Sequence, residues 1–208
     1  MKVLFIGGTG IISSACSVLA VSRGIELYHL NRGKSASLRP ISGVKTIQAD
    51  IRNYAETDQA LGEHKFDVVV NWIGFTPAQI QADIDMFSSR TAQYVYISSA
   101  ATYETPPSSL PIREDTPLSN PYWEYARIKI ACEALLRKSY RDQGFPVTIV
   151  RPSHTYSCRW IPNPVTSVGY TVAARLEQGR PVFIHDDGQG LWTLTATTDF
   201  AVGLAGFL

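Results

Sequence analysis

Apolar residues along this chain collect in short blocks that alternate with longer stretches of helical spacing. The blocks cover residues 3–6, 25–30, 44–48, 66–71, 94–97 and 147–150. Most show no polar alternation, as expected of strands buried on both faces of a parallel sheet. Between them, apolar positions recur every three or four residues and predict helices over 11–22, 54–61, 78–87 and about 120–141. Asn120-Pro121 looks like the start of the longest helix, with Asn120 as its cap and proline in its first turn. Residues 104–121 hold five prolines and read as a long irregular loop, since the alternation resumes after them. Further on, a helix over 167–178, two short strands over 181–184 and 191–194 around the turn 186–190, and an apolar helix over 199–208 are expected. The pattern predicts an α/β chain: a Rossmann-like doubly wound parallel sheet over residues 1–157, then a small region over 158–208 that is expected to be incomplete and to face the substrate.

The first block runs into Gly7-Gly8-Thr9-Gly10, and Ile11, Ile12, Ala15, Val18 and Leu19 follow at helical spacing. A strand, a glycine turn and a helix make the first unit of a dinucleotide-binding fold. A pyrophosphate reaches the N–H groups of a helix N-terminus only over a tight turn bare of Cβ atoms. Gly7 and Gly10 supply that turn in a Gly-x-x-Gly-x-x-Ser spacing. Ser13 stands where a third glycine would allow the closest helix-to-strand approach, so slightly looser packing is expected, and Ser13→Gly is expected to leave cofactor affinity equal or improved. Residues 3–22 carry no charge and superficially resemble a signal segment, but three glycines and several hydroxyl residues dilute their hydropathy.

At 208 residues with a net charge of +1, the chain offers no electrostatic reason to expect nucleic acid or an anionic membrane as partner. Three cysteines without metal-ligand spacing suit a reduced, cytoplasmic protein, and no metal site is expected. The second strand ends at Asn31-Arg32-Gly33-Lys34. An acidic residue there would bind the adenosine ribose hydroxyls and repel a 2′-phosphate. Arg32 in its place favours NADP, or at least admits it beside NAD, while Arg32 and Lys34 could equally form a solvated turn. Asp50, with Ile51 packing behind it, is placed to accept the adenine amino group and also to stabilise the following helix dipole. Asn71, Ile73 and Gly74 form a strand-to-loop transition that can lie against the cofactor, and the fifth strand delivers Ser98 and Ser99 at its C-terminal end, where open α/β sheets place ligands.

Tyr125 and Lys129 stand four residues apart on the long helix and face the same way. A phenol ionises near pKa ~10, and a nearby ammonium lowers that value enough for proton exchange at neutral pH. Ser99, from the flanking strand end, can hold the oxygen of a carbinol or carbonyl while Tyr125 moves its proton.

With Gly7-Gly8-Thr9-Gly10-Ile11-Ile12, Asp50-Ile51, Ser98 to Tyr103, Tyr125 to Lys129 and Arg151-Pro152-Ser153 in this order, the chain resembles an extended short-chain dehydrogenase/reductase of the NAD-dependent epimerase/dehydratase family. The resemblance implies an enzyme that binds NAD or NADP and acts on a small molecule, a secondary alcohol or ketone such as a sugar or nucleotide-sugar. It makes Tyr125 the catalytic tyrosine, Lys129 the lysine that also holds the nicotinamide ribose, and Ser99 the catalytic hydroxyl. It also implies cofactor contacts from Thr9, Ser98, Pro152, Ser153 and His154, and a homodimer. Sugar 4,6-dehydratases of the family carry Asp-Glu where this chain has Ala100-Ala101, which disfavours dehydration. Leu191-Trp192 stands where an arginine of the family often meets the diphosphate, and Ala196 where a histidine is usual, which disfavours a UDP- or dTDP-sugar as substrate. Members typically continue past residue 208, so a truncated chain is expected. A non-catalytic nucleotide sensor or an RNA-binding relative is the competing class.

Overall fold

The computed structural model describes residues 1–33, 40–162, 170–185, 187–190 and 192–208. Lys34, the first part of the helix expected over 167–178, Asp186 and Leu191 lie outside the described residues.

The chain opens with β1 (Lys2–Ile6), α1 (Ile11–Ser22), β2 (Glu26–Asn31), β3 (Lys45–Gln48), α2 (Tyr54–Leu61) and β4 (Phe66–Asn71). It continues with α3 (Pro77–Phe87), β5 (Thr91–Ile97), a single 3-10 turn (Ala100–Thr102), α4 (Glu124–Gln143) and β6 (Val147–Val150). Six parallel strands form one sheet in the order β3-β2-β1-β4-β5-β6. This is a Rossmann-like sheet. The chain winds outward from β1 on one side and restarts from β4 on the other, so a crevice opens beyond Ile6 and Asn71, which pair in register.

Unbroken apolar strands are explained by the two cores they separate. Leu4, Ile6, Val69, Tyr94 and Tyr96 face α2, α3 and α4, whereas Val3, Phe5, Val68, Val70, Val95 and Ile97 face α1 and the C-terminal helix. From Val3 to Ile6, from Val68 to Val70 and from Tyr94 to Ile97, neighbouring residues are thus all buried, but against different helices.

After β6 the chain forms β7 (His154–Tyr156), α5 (Thr171–Glu177), β8 (Leu194–Ala196) and α6 (Thr197–Leu204). The strand expected over 181–184 does not form. Pro181 has no N–H to give a ladder, Phe183 and Ile184 are exposed, and β8 pairs instead with β7, in parallel. The apolar helix expected near the end packs Ala201 and Leu204 against the α1 side of the sheet, leaving Val202 and Phe207 exposed. The long helix also starts later than its sequence suggests. The Asn120 Oδ1 accepts the N–H groups of Tyr122 and Trp123 at 3.1 and 3.2 Å, so Asn120 caps a turn ahead of the helix, and Trp123 occupies the helix N-cap. Among the described residues, no helix is long and apolar enough to cross a membrane, and no group of three or more His, Cys, Asp or Glu could hold a metal ion.

Candidate active site

The glycine turn is shaped by three side chains. Gly7 has a φ of +87°, and a Cβ there would lie 2.7 Å from the Ile73 side chain. At Gly8 a Cβ would lie 2.3 Å from the His29 ring, so only glycine fits between the turn and this side chain. Ser13 does not loosen the turn. Its hydroxyl accepts the Gly10 N–H at 2.8 Å and donates to the Gly7 carbonyl at 3.1 Å, which ties both ends of the turn to the first turn of α1. His29, stacked on Phe5 and bonded to Ser17 at 2.8 Å, is buried under the turn, and burial pushes its pKa down to about 4.

Beyond the turn lies a cavity of about 470 Å³. Gly7, Thr9, Gly10, Asn31, Arg32, Asp50, Ile51 and Ile73, all expected at a cofactor, line it together with Arg52 and Phe75. Ile11 and Ile12 begin α1, whose N-cap residue, Gly10, has no side chain to accept their N–H groups. Arg32 and Asp50 stand 3.9 Å apart at the solvent edge. Asn31 accepts the Gly33 N–H through Oδ1 at 2.8 Å, while its Nδ2 is buried and has no partner among the described residues. An orphaned donor at the end of β2, beside a bare glycine turn, fits the hydroxyls and phosphates of a dinucleotide.

Farther along the crevice, Ser99 leaves β5 in extended conformation and accepts the Ala101 N–H at 3.2 Å. Burial pushes the Tyr125 pKa up, and the Ser99 hydroxyl offsets part of that rise. In the chain alone, burial therefore outweighs the lowering expected from the neighbouring ammonium. The Lys129 Nζ lies 5.8 Å from the centre of the Tyr125 ring and 4.6 Å from that of Tyr96, and it donates to the carbonyls of Gly74 and Ile97, both at 2.9 Å. Lys129 is only 2% exposed, and burial brings its pKa down to about 8.

The remaining expected residues stand apart from the cavity lining. Ser98 turns its hydroxyl away, donating to Glu133 Oε1 at 2.6 Å, and the Glu133 carboxylate receives Arg151 through Nη2 at 2.6 Å and Nε at 2.9 Å. Arg151 reaches the Tyr103 hydroxyl at 3.1 Å, which ties the end of β6 to the loop after Ser99. Asn71 is buried behind Ile73, and Gly74 gives its carbonyl to Lys129. Pro152 accepts the Ala100 N–H at 2.9 Å, Ser153 donates to the Thr193 carbonyl at 3.0 Å, and His154 meets Trp192 edge to face. His154, Ile184, Trp192 and Leu194 line a second cavity of about 300 Å³. Glu133 continues the stripe of Tyr125 and Lys129 by one more turn, a spacing visible in the sequence. Arg52 and Phe75 carry no comparable signal.

The model of the NAD dependent epimerase/dehydratase family matches residues 3–206, and the chain belongs to that family. It is 26% identical over 204 residues to a UDP-glucose 4-epimerase of Azospirillum brasilense, covering 88% of this chain and 54% of that protein. It is 25% identical to a chloroplast stem-loop binding protein of 41 kDa from Arabidopsis thaliana, covering 100% of this chain and 55% of that one. A solved dTDP-glucose 4,6-dehydratase from Bacillus anthracis in complex with NAD superposes with a TM-score of 0.81 at 17% identity, over 100% of this chain and 71% of its own. The chain spans about half the length of the curated relatives it matches.

Proposed function

We propose that this chain carries the dinucleotide site and the catalytic centre of an NAD(P)-dependent epimerase or reductase acting on a secondary alcohol or ketone of a sugar or nucleotide-sugar. The observation that carries the reading is the convergence of Ser99, Tyr125 and Lys129 at one end of the crevice, with the glycine turn at the other. A bound nicotinamide supplies the acceptor and donor of hydride. Ser99 orients the substrate oxygen, and Tyr125 takes the carbinol proton or returns it. Lys129 sets its charge under the phenol and favours the phenolate. The phenol that burial holds protonated in the chain alone is then suited to donate as well as to accept.

Asn31, Asp50, Ile51 and the turn Gly7 to Gly10 hold the adenosine and pyrophosphate, and Ile11 and Ile12 present the free end of α1. Arg32, without an acid at the end of β2, favours NADP. Residues 158–208 contribute to the substrate side, where His154 and Trp192 form an aromatic wall. Ala100 and Ala101 supply no acid/base pair, which disfavours water elimination. The protein acts as a cytoplasmic homodimer. Mass spectrometry of the purified protein, followed by incubation with UDP- and dTDP-sugars, tests this: a retained nicotinamide dinucleotide and an epimerised or reduced sugar are expected. Failure to bind either NAD or NADP would refute it.

The Arabidopsis relative, named for stem-loop binding, gives a specific reason to test RNA. The net charge of +1 and the assembled Ser99, Tyr125 and Lys129 favour the enzyme. Binding to a stem-loop RNA that falls steeply with salt would favour the other reading.

A further inference from the structure

Asp83 lies on the buried stripe of α3 with Ile80, Ile84 and Phe87, and is 1% exposed. A leucine there would simply extend the stripe. A carboxylate in such a place is costly unless it is bonded, and Asp83 is bonded through one oxygen only. Its Oδ2 accepts the Asn71 Nδ2 at 2.5 Å and the Tyr94 hydroxyl at 2.8 Å, while Oδ1 is buried and has no partner among the described residues. The Asn71 carboxamide is held at its other end by the Ile73 N–H, which donates to Oδ1 at 2.8 Å.

Ile73 and Gly74 sit at a junction of the proposed site. The Ile73 side chain packs against Gly7 and lines the dinucleotide cavity. The Gly74 carbonyl accepts from Lys129 at 2.9 Å and from the Tyr96 hydroxyl at 3.2 Å. Were the carboxamide of Asn71 reversed, its NH2 would face the Ile73 N–H, two donors against each other. An ionised carboxylate is an acceptor only, so Asp83 admits one orientation of Asn71 and excludes the other.

Resting on the function proposed above, we propose that Asp83 is a positioning residue: through the Asn71 carboxamide it fixes the Ile73–Gly74 loop, and so sets both the wall of the dinucleotide cavity and the carbonyl that holds Lys129. Its action is through a hydrogen-bond acceptor rather than through its charge. An asparagine at 83 can offer its carbonyl oxygen to Asn71 and Tyr94 and put its NH2 where Oδ1 has no partner.

Titration of tryptophan fluorescence with NAD+ and NADP+, run beside thermal melting without ligand, tests this. Asp83→Leu should weaken dinucleotide binding at least about tenfold, and Asp83→Asn should stay within about twofold of the unmodified chain. A residue that only stabilises the fold would change melting without separating these two affinities. Asp83→Leu binding as tightly as the unmodified chain, or Asp83→Asn losing as much as Asp83→Leu, would overturn the role. If Asp83→Leu does not fold, the reciprocal pair decides. Asn71→Asp sets two carboxylates face to face and should bind weakly, and the Asn71→Asp/Asp83→Asn double variant, with donor and acceptor exchanged, should regain affinity. A double variant no better than Asn71→Asp overturns the proposal. Binding of neither dinucleotide by the unmodified chain would remove the functional reading and this role with it; normal binding by the unmodified chain and by Asp83→Leu alike would remove only the role of Asp83.

Discussion

Lys129 holds its ammonium 5.8 Å from the centre of the Tyr125 ring while donating to two main-chain carbonyls, Gly74 on the loop after β4 and Ile97 at the end of β5. The lysine thus joins α4 to the two strand ends that flank the crevice. Its cation is almost wholly desolvated, and the bonds that hold it are to neutral carbonyl oxygens.

That burial has a measurable sign. The Lys129 pKa is about 8 in the fold against 10.5 in its absence. Below pH 8 both states carry the proton and the cost of burying the charge is full. As pH rises from 8 toward 10.5 the unfolded chain binds more protons than the folded one, and stability increases, by roughly 3 kcal/mol if the whole window is traversed. Urea midpoints measured across this window should lose that rise in Lys129→Met. The same variant should lower turnover on the order of a hundredfold.

Ser13 reverses the expectation drawn from its place in the glycine pattern. Its hydroxyl bonds both Gly10 and Gly7, so Ser13→Ala should destabilise the chain by about 1–2 kcal/mol. Ser13→Gly should cost about 1 kcal/mol more, because glycine disfavours a helix. Both should weaken NAD+ or NADP+ binding, read by fluorescence titration; equal or better binding by Ser13→Gly would restore the simpler view of the turn.

His29, under that turn, is neutral because it is buried, with a pKa of about 4 in place of 6.5. Its contribution is complete above pH 6.5 and is lost as pH falls toward 4, since the unfolded chain then takes up the proton first. Asp83, raised by burial from 3.8 to about 6, acts in the opposite sense and gains stability for the fold over much of the same range. The two offset each other in the unmodified chain. Acid titrations of stability should therefore show a shallower loss in His29→Gln and a steeper one in Asp83→Asn.

Much of this architecture is legible in the sequence. Strands buried on both faces leave unbroken apolar blocks, and residues 66–71 and 147–150 form strands with the expected bounds. Gly7, Tyr125 and Lys129 were legible because a bare turn and an i, i+4 pair are local patterns. What escaped depends on long-range contact. β7 and β8 are three residues each and acquire meaning only by pairing with one another across 37 intervening residues, 157 to 193. Ser98 reads like Ser99 in sequence, yet one hydroxyl turns into the core to meet Glu133 and the other faces the phenol, because successive residues of a strand point to opposite sides. Asp83 reads as a polar interruption of an amphipathic helix until Asn71 and Tyr94 are seen beside it.

The central claim is that Tyr125 moves the substrate proton while the rest of the crevice holds the dinucleotide. Replacing Tyr125 with Phe removes one hydroxyl and little else. Once a turned-over sugar is in hand, kcat should fall by at least about a thousandfold in that variant, with NAD+ or NADP+ affinity within about twofold of the unmodified chain. Turnover retained in Tyr125→Phe would contradict the account.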